Sequence, residues 1–121
     1  MATRLLEYKT KMEDHALTLL ASPWIPTGLF TSDTQVKAEP GLLGFICVRA
    51  TDNGGDIQVS VWDTAVGATT AAEVVVSDMW VTVTRAGAHQ SELFPLPGIE
   101  CKHGIYVEVV AGDCVIHLLY K

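Results

Sequence analysis

The last third of the chain sets the strongest constraint on the fold. Residues 105–110, IYVEVV, and 114–120, CVIHLLY, are rich in Val, Ile and Tyr and are separated by Ala111-Gly112-Asp113. This is the pattern of two β-strands joined by a reversal, which predicts a terminal hairpin. In the first run Ile105, Val107 and Val109 alternate with Tyr106, Glu108 and Val110, so one face is suited to a core and the other to solvent. In the second, Cys114, Ile116, Leu118 and Tyr120 oppose Val115, His117 and Leu119. A strand apolar on both faces belongs deep in a sheet or beneath a neighbouring subunit.

The strand pattern extends upstream. Residues 42–50 alternate Leu43, Phe45 and Cys47 against Gly44, Ile46 and Val48, and residues 57–63 alternate Ile57, Val59 and Val61 against Gln58, Ser60 and Trp62. Asp52-Asn53-Gly54-Gly55 lies between them, and Asn-Gly predicts a second hairpin. Residues 64–72 read as a surface loop, 73–76 and 79–85 as two short strands around Ser77-Asp78, 86–92 as a polar turn and 93–96 as an edge strand. With a short strand at 35–38, the expectation is an all-β, jelly-roll-like sandwich of about 7–8 antiparallel strands over residues 31–121.

Residues 1–30 differ in character. Met12, Ala16, Leu19 and Leu20 recur near helical spacing, and Pro23-Trp24-Ile25-Pro26 forces an extended path. The expectation is an N-terminal arm, part helix and part extended, whose Leu5, Leu6, Tyr8, Trp24, Ile25 and Phe30 bind a partner.

Hydrophobic residues make up 49% of the 121 and charged residues 18%, a greasy balance that predicts contact with another chain. The net charge of −6 argues against a nucleic-acid partner. No apolar run reaches the roughly 18 residues of a membrane helix, and no stretch has the order of a secretory signal, so no membrane association is expected. Three cysteines predict reduced, buried thiols rather than disulfides.

Candidate chemistry is sparse. Cys101, His103, Cys114 and His117 are the zinc-like residue types, but Cys114 and His117 point to opposite faces of a strand, and the other two lie a strand length away. The set diverges, so neither a metal nor any other cofactor is expected. A Cys–His nucleophile pair lacks a strained turn or an orienting third group. His89, Ser91 and Glu92 read as a solvated loop, and Asp52, Asp56 and Asp63 as turn-capping carboxylates rather than calcium ligands. No catalytic constellation emerges. Trp62 and Trp80 fall on strand faces with Ser60, Thr82 and Thr84, which fits a core cover or subunit contact and, as the rival reading, a sugar-stacking platform.

The order of parts, with VKAEPGLLGFICVRATDNGGDIQVSVWDT in the middle and PLPGIECKHGIYVEVVAGDCVIHLLYK at the end, resembles small β-sandwich virion proteins of tailed bacteriophages. Residues 36–121 carry the resemblance. It implies a jelly-roll-like sandwich without catalytic residues, made in the bacterial host cytoplasm and placed in the virion as a capsid cement, decoration or head-fibre-like protein. The implied partners are the major capsid protein or other virion proteins, with a homo-oligomer, a trimer foremost. The alternative is a glycan-binding module of a phage tail or fibre.

Overall fold

The computed structural model describes residues 23–66, 74–95 and 97–121. Among them are nine strands: β1 (Ile25–Pro26), β2 (Thr34–Lys37), β3 (Gly41–Ala50), β4 (Ile57–Asp63), β5 (Val74–Val81), β6 (His89–Leu93), β7 (Ile99–Cys101), β8 (Ile105–Ala111) and β9 (Cys114–Tyr120). One sheet, A, has the order β1-β9-β3-β6, with β7 also on β3; the other, B, has the order β2-β8-β4-β5. All pairings are antiparallel.

The couples β1·β9, β2·β8, β3·β6 and β4·β5 alternate between the sheets, so the chain is a long antiparallel couple, folded back between β4 and β5 and rolled into two layers. That is the jelly roll, and the all-β sandwich expected from the alternation is what the chain forms. The core between the layers is Leu43, Ile46 and Val48 of β3, Ile57, Val59 and Val61 of β4, Ile105 and Val107 of β8, and Ile116 and Leu118 of β9, each at most 1% exposed. Burying these side chains supplies the main stabilising term.

Both predicted hairpins take a different form. β3 lies in sheet A and β4 in sheet B, and β8 and β9 are split the same way, so the turns at 51–56 and 112–113 carry the chain from one layer to the other. Gly112 takes the positive φ expected of its turn, 86°, whereas in the 51–56 turn it is Gly55, at φ 138°, and neither Asn53 nor Gly54 that does so; in both cases the strands joined bury their apolar faces against each other instead of pairing edge to edge. The two crossings lie side by side, joined by the Thr51 N–H donating to the Asp113 carbonyl at 3.2 Å. The strand-paired hairpin is β4–β5, with Ile57 opposite Val81 and Asp63 opposite Val74.

Three local expectations are corrected. The β3 phase shifts at Gly44, where the register is irregular, so Leu43, Ile46 and Val48 face inward and Phe45 and Cys47 outward. Residues 73–85 hold one continuous strand, β5, rather than two. The supposed polar turn 86–92 holds most of β6, an edge strand that includes Leu93 from the expected 93–96 but ends before Pro95, which cannot donate to a ladder; the chain then returns to β3 as β7.

The sandwich also begins earlier than residue 31. Ile25 pairs with Tyr120, Phe30 bridges Ile116, and Phe30 packs against the core. Residues 23–30 are therefore the edge of sheet A, and what remains of the expected arm, including its helix and Leu5, Leu6 and Tyr8, lies outside the described residues.

Candidate functional site: two opposed sheet faces

The outward residues of sheet A fall into three cross-strand rows: Leu119–Phe45–Leu93, His117–Cys47–Ser91 and Val115–Arg49–His89. β3 and β9 contain no carboxylate, and Glu92 of β6 turns away to accept a hydrogen bond from Ser77 Oγ of sheet B at 3.4 Å. Above these rows is a cavity of about 660 Å³ walled by Leu29, Phe45, Cys47, Arg49, Val115 and His117. It adjoins a hollow bounded by Arg49, Arg85, Gly87 and His89. Leu29 is 77% exposed on the cavity wall, and Leu93, 78% exposed, lines a smaller hollow beyond Phe45 with Trp24, Gly44 and Leu119. The His117 Nδ1–H donates to the Gly28 carbonyl at 3.3 Å in the matching tautomer, which fixes the ring on the cavity wall.

Trp24 closes the neighbouring end of this face. Its ring lies over Gly44, where a Cβ would come within 2.7 Å of the indole, and Lys121 Nζ sits 4.5 Å from the ring centroid. Trp24 thus packs on its own domain and stays half-buried there. Phe30, packed on the core, is likewise spoken for, whereas Ile25 keeps 45% of its surface exposed.

Sheet B presents the opposite character. Trp80 is 62% exposed on β5, with Asp78 on the same face and Gln58 opposite it on β4. Asp78 Oδ1 accepts from Ser60 Oγ at 3.0 Å and Gln58 Nε2 at 3.2 Å, so the carboxylate is held in place. Glu108, the exposed Val110 and Tyr106 continue the face on β8. Tyr106 donates to Asp33 Oδ2 at 3.4 Å, and burial followed by the Asp33 charge pushes its phenol up. No Lys or Arg occurs in β4, β5 or β8. Trp62 does not share the exposure of Trp80: it is half-buried with Nε1 enclosed, so Trp80 is the aromatic this face offers.

The zinc-type residues stay apart, and among the described residues no group of three or more His, Cys, Asp or Glu could hold a metal ion. Cys101 and Cys114 are interior; burial, reinforced by Asp63 and Glu100, pushes the Cys101 thiol up to about 12, and burial also raises Cys114. Both shifts disfavour the thiolate, the form that reacts. All three thiols are free. His89 and Ser91 face Arg49 and Cys47 while Glu92 points the other way, so those three do not converge. The three turn aspartates cap backbone: Asp52 accepts from Gly54 N–H, Asp56 from Val83 N–H, and Asp63 from the N–H groups of residues 102–104.

Sequence reasoning missed the sheet A face. Its signal was Arg49, two residues beyond Cys47 and four beyond Phe45, marking that phase as outward once Gly44 is read as a bulge. Comparison with known proteins finds no matching family model, no matching curated protein and no matching solved structure.

Proposed function

We propose that this chain is a non-enzymatic structural protein of a tailed-phage virion, a cement or decoration protein that binds the outside of the capsid shell. The observation that carries the reading is the outer face of sheet A. In a chain of net charge −6 it carries the exposed Leu29 and Leu93 and the half-buried Phe45, with a cavity lined by Arg49 and no carboxylate, which suits protein contact. The resemblance over residues 36–121 supplies the particle as the setting. In this reading the sandwich associates with protein through its faces, while Leu5, Leu6 and Tyr8, upstream of the Trp24 anchor, grip coat subunits; several weak grips on one assembly then add as avidity.

The test is co-sedimentation with shells assembled from the coat protein of the same genome, for the full chain and a chain lacking residues 1–22. Sedimentation that disappears with the deletion supports the reading. Failure of the full chain to sediment overturns the decoration role, and unchanged sedimentation after deletion overturns the role of the arm.

A second reading rests on Trp80, an exposed indole beside the amide of Gln58 and the carboxylate of Asp78, which is the combination that stacks on and hydrogen-bonds a sugar ring. Glycan-array binding that disappears in Trp80→Ala would favour it.

A further inference from the structure

The two outer faces complement each other. Sheet A carries a cavity with Arg49, Arg85 and His89 at one side and apolar walls of Leu29, Phe45 and Val115. Sheet B carries a projecting indole, Trp80, flanked by Asp78, with Glu108 and Val110 beyond it. One is a basic hole and the other an acidic knob, and because they lie on opposite sides of one sandwich, a copy cannot satisfy its own.

The geometry points to a second copy of this chain as the occupant of the sheet A cavity, with Trp80 of one protomer seated between Phe45, Val115 and Leu29 of the next and Asp78 facing Arg49. This rests on the reading of sheet A as a protein-contact face and names its partner. Three features favour that partner over an unrelated one. The cavity admits an indole, the side-chain type most enriched at interface centres. The charges of the strands that carry the knob and the cavity are of opposite sign: β4, β5 and β8 contain no Lys or Arg, and β3 and β9 contain no Asp or Glu, the other sign being left to the flanking strands as Lys37 of β2, Glu92 of β6 and Glu100 of β7. Asp78 is pre-positioned by Ser60 and Gln58, so little freedom is lost when it pairs.

Such a contact is heterologous: patch A meets patch B and leaves one of each unpaired at the ends. It closes into a ring if the rotation between copies closes, and otherwise extends as a filament. A trimer is one such ring. A twofold dimer through sheet A alone would instead bring two Arg49-bearing faces together, with no carboxylate on β3 or β9 to pair either charge.

The experiment is native mass by size exclusion with light scattering, over a concentration series, for the full chain, Trp80→Ala, Arg49→Glu and an equimolar mixture of the two variants. Both substituted residues are exposed, so circular dichroism and melting should match the parent and show that the fold is kept. The full chain is expected as a multimer, weakened as salt shortens the Debye length from about 10 Å at 0.1 M to about 3 Å at 1 M. Trp80→Ala should lose about 30-fold or more in association affinity, the size of a hot-spot truncation. Each variant alone should be a monomer. The mixture should form a one-to-one dimer and nothing larger, because one variant keeps the hole and the other the knob.

Cys47 gives a second readout on the cavity wall: its alkylation should be slowed by association in the full chain and not in Trp80→Ala. A monomeric full chain, variants that keep the parent mass, or a mixture that stays monomeric would each overturn the inference. Shell binding by a monomeric full chain would leave the decoration reading standing, whereas a multimer that ignores shells would spare the inference and remove that reading.

Discussion

Asp63, the last residue of β4, ties the β7–β8 turn to sheet B, and replacing it isolates what one carboxylate contributes. Its Oδ1 accepts the His103 N–H at 2.7 Å and the Gly104 N–H at 3.2 Å, and its Oδ2 accepts the Lys102 N–H at 2.9 Å. The His103 imidazole at 3.6 Å adds little, being 72% exposed. Hydrogen bonds to a charged group are worth about 1.5–3 kcal/mol each when the donor has no other partner. Gly104 is buried and fits that case, whereas water can reach the exposed turn at Lys102 and His103, so each of those is assigned about 0.5 kcal/mol. Asp63→Ala should therefore cost about 3 kcal/mol, lowering Tm by about 12 °C at this chain length. Asp63→Asn keeps the Oδ1 acceptor and should cost about half as much. The pH dependence has a definite sign. Burial pushes the Asp63 carboxyl up, but the three backbone donors outweigh it and hold the group below the ordinary aspartate range. A carboxyl lowered on folding stabilises fully above its unfolded value and loses that contribution as pH falls through the folded one. Urea melts of parent and Asp63→Asn should accordingly differ by a constant amount from pH 5 to 8 and converge below about pH 4. An Asp63→Ala variant within about 0.5 kcal/mol of the parent, or a parent–Asn gap unchanged at pH 2, would refute the assignment.

Gly104→Ala should cost at least about 3 kcal/mol, because its Cβ would lie 2.5 Å from the Thr64 carbonyl oxygen and 2.6 Å from that of Lys37, backbone atoms that cannot step aside; a soluble, parent-like melt would contradict it. Gly44→Ala meets the Trp24 ring instead, so it should cost about 1–3 kcal/mol and shift Trp24 emission to the red, as read by fluorescence against a Trp24→Phe background. Of the three thiols, Cys47 should react with a small alkylating reagent in the folded protein, while Cys101 and Cys114 should require denaturant, as counted by mass spectrometry. Leu118→Ala, at a fully buried site, should lose about 2–5 kcal/mol, whereas Leu93→Ala, 78% exposed, should stay within about 0.5 kcal/mol in a denaturant titration.

The alternation of Ile57, Val59 and Val61, of Ile105, Val107 and Val109 and of Cys114, Ile116 and Leu118 named the inward faces from sequence, because period-2 patterning depends only on which side of a strand meets the core. Pairing depends on which strand lies alongside, and that is set by the whole chain. Asn53-Gly54 and Gly112 specify that the backbone reverses, not whether the next strand joins the same sheet, so a hairpin and a crossing between layers look alike in a ten-residue window. β6 was missed for a related reason. His89, Gln90, Ser91, Glu92 and Leu93 are all exposed, so no buried face imposes an alternation, and the strand exists through its hydrogen bonds to β3.

The jelly-roll order has a consequence for the two faces. β3 and β9 are neighbours in sheet A, and β4 and β8 in sheet B, so each layer has an adjacent central pair linked by the crossings at 51–56 and 112–113. Charges placed on one strand of a pair are therefore reinforced or cancelled by its neighbour on the same outer face. Arg49 sits across from Val115 and one row from His117, while Ser60 separates Asp78 from Glu108 across three strands of sheet B. Opposite signs thus mark Arg49 on sheet A and Asp78 with Glu108 on sheet B, while other strands of each sheet carry the other sign, Glu92 and Glu100 on β6 and β7 and Lys37 on β2. Neutralising either layer leaves the core contacts of Ile46, Val61, Val107 and Ile116 untouched, so Arg49→Gln should keep the parent Tm within about 2 °C, while Asp78→Asn, which weakens the bonds from Ser60 and Gln58, should cost about 1 kcal/mol or about 4 °C. If the segregation of charge serves recognition, both should weaken association, each to a similar degree. If it serves folding, the Arg49→Gln melt should move instead and the association should not.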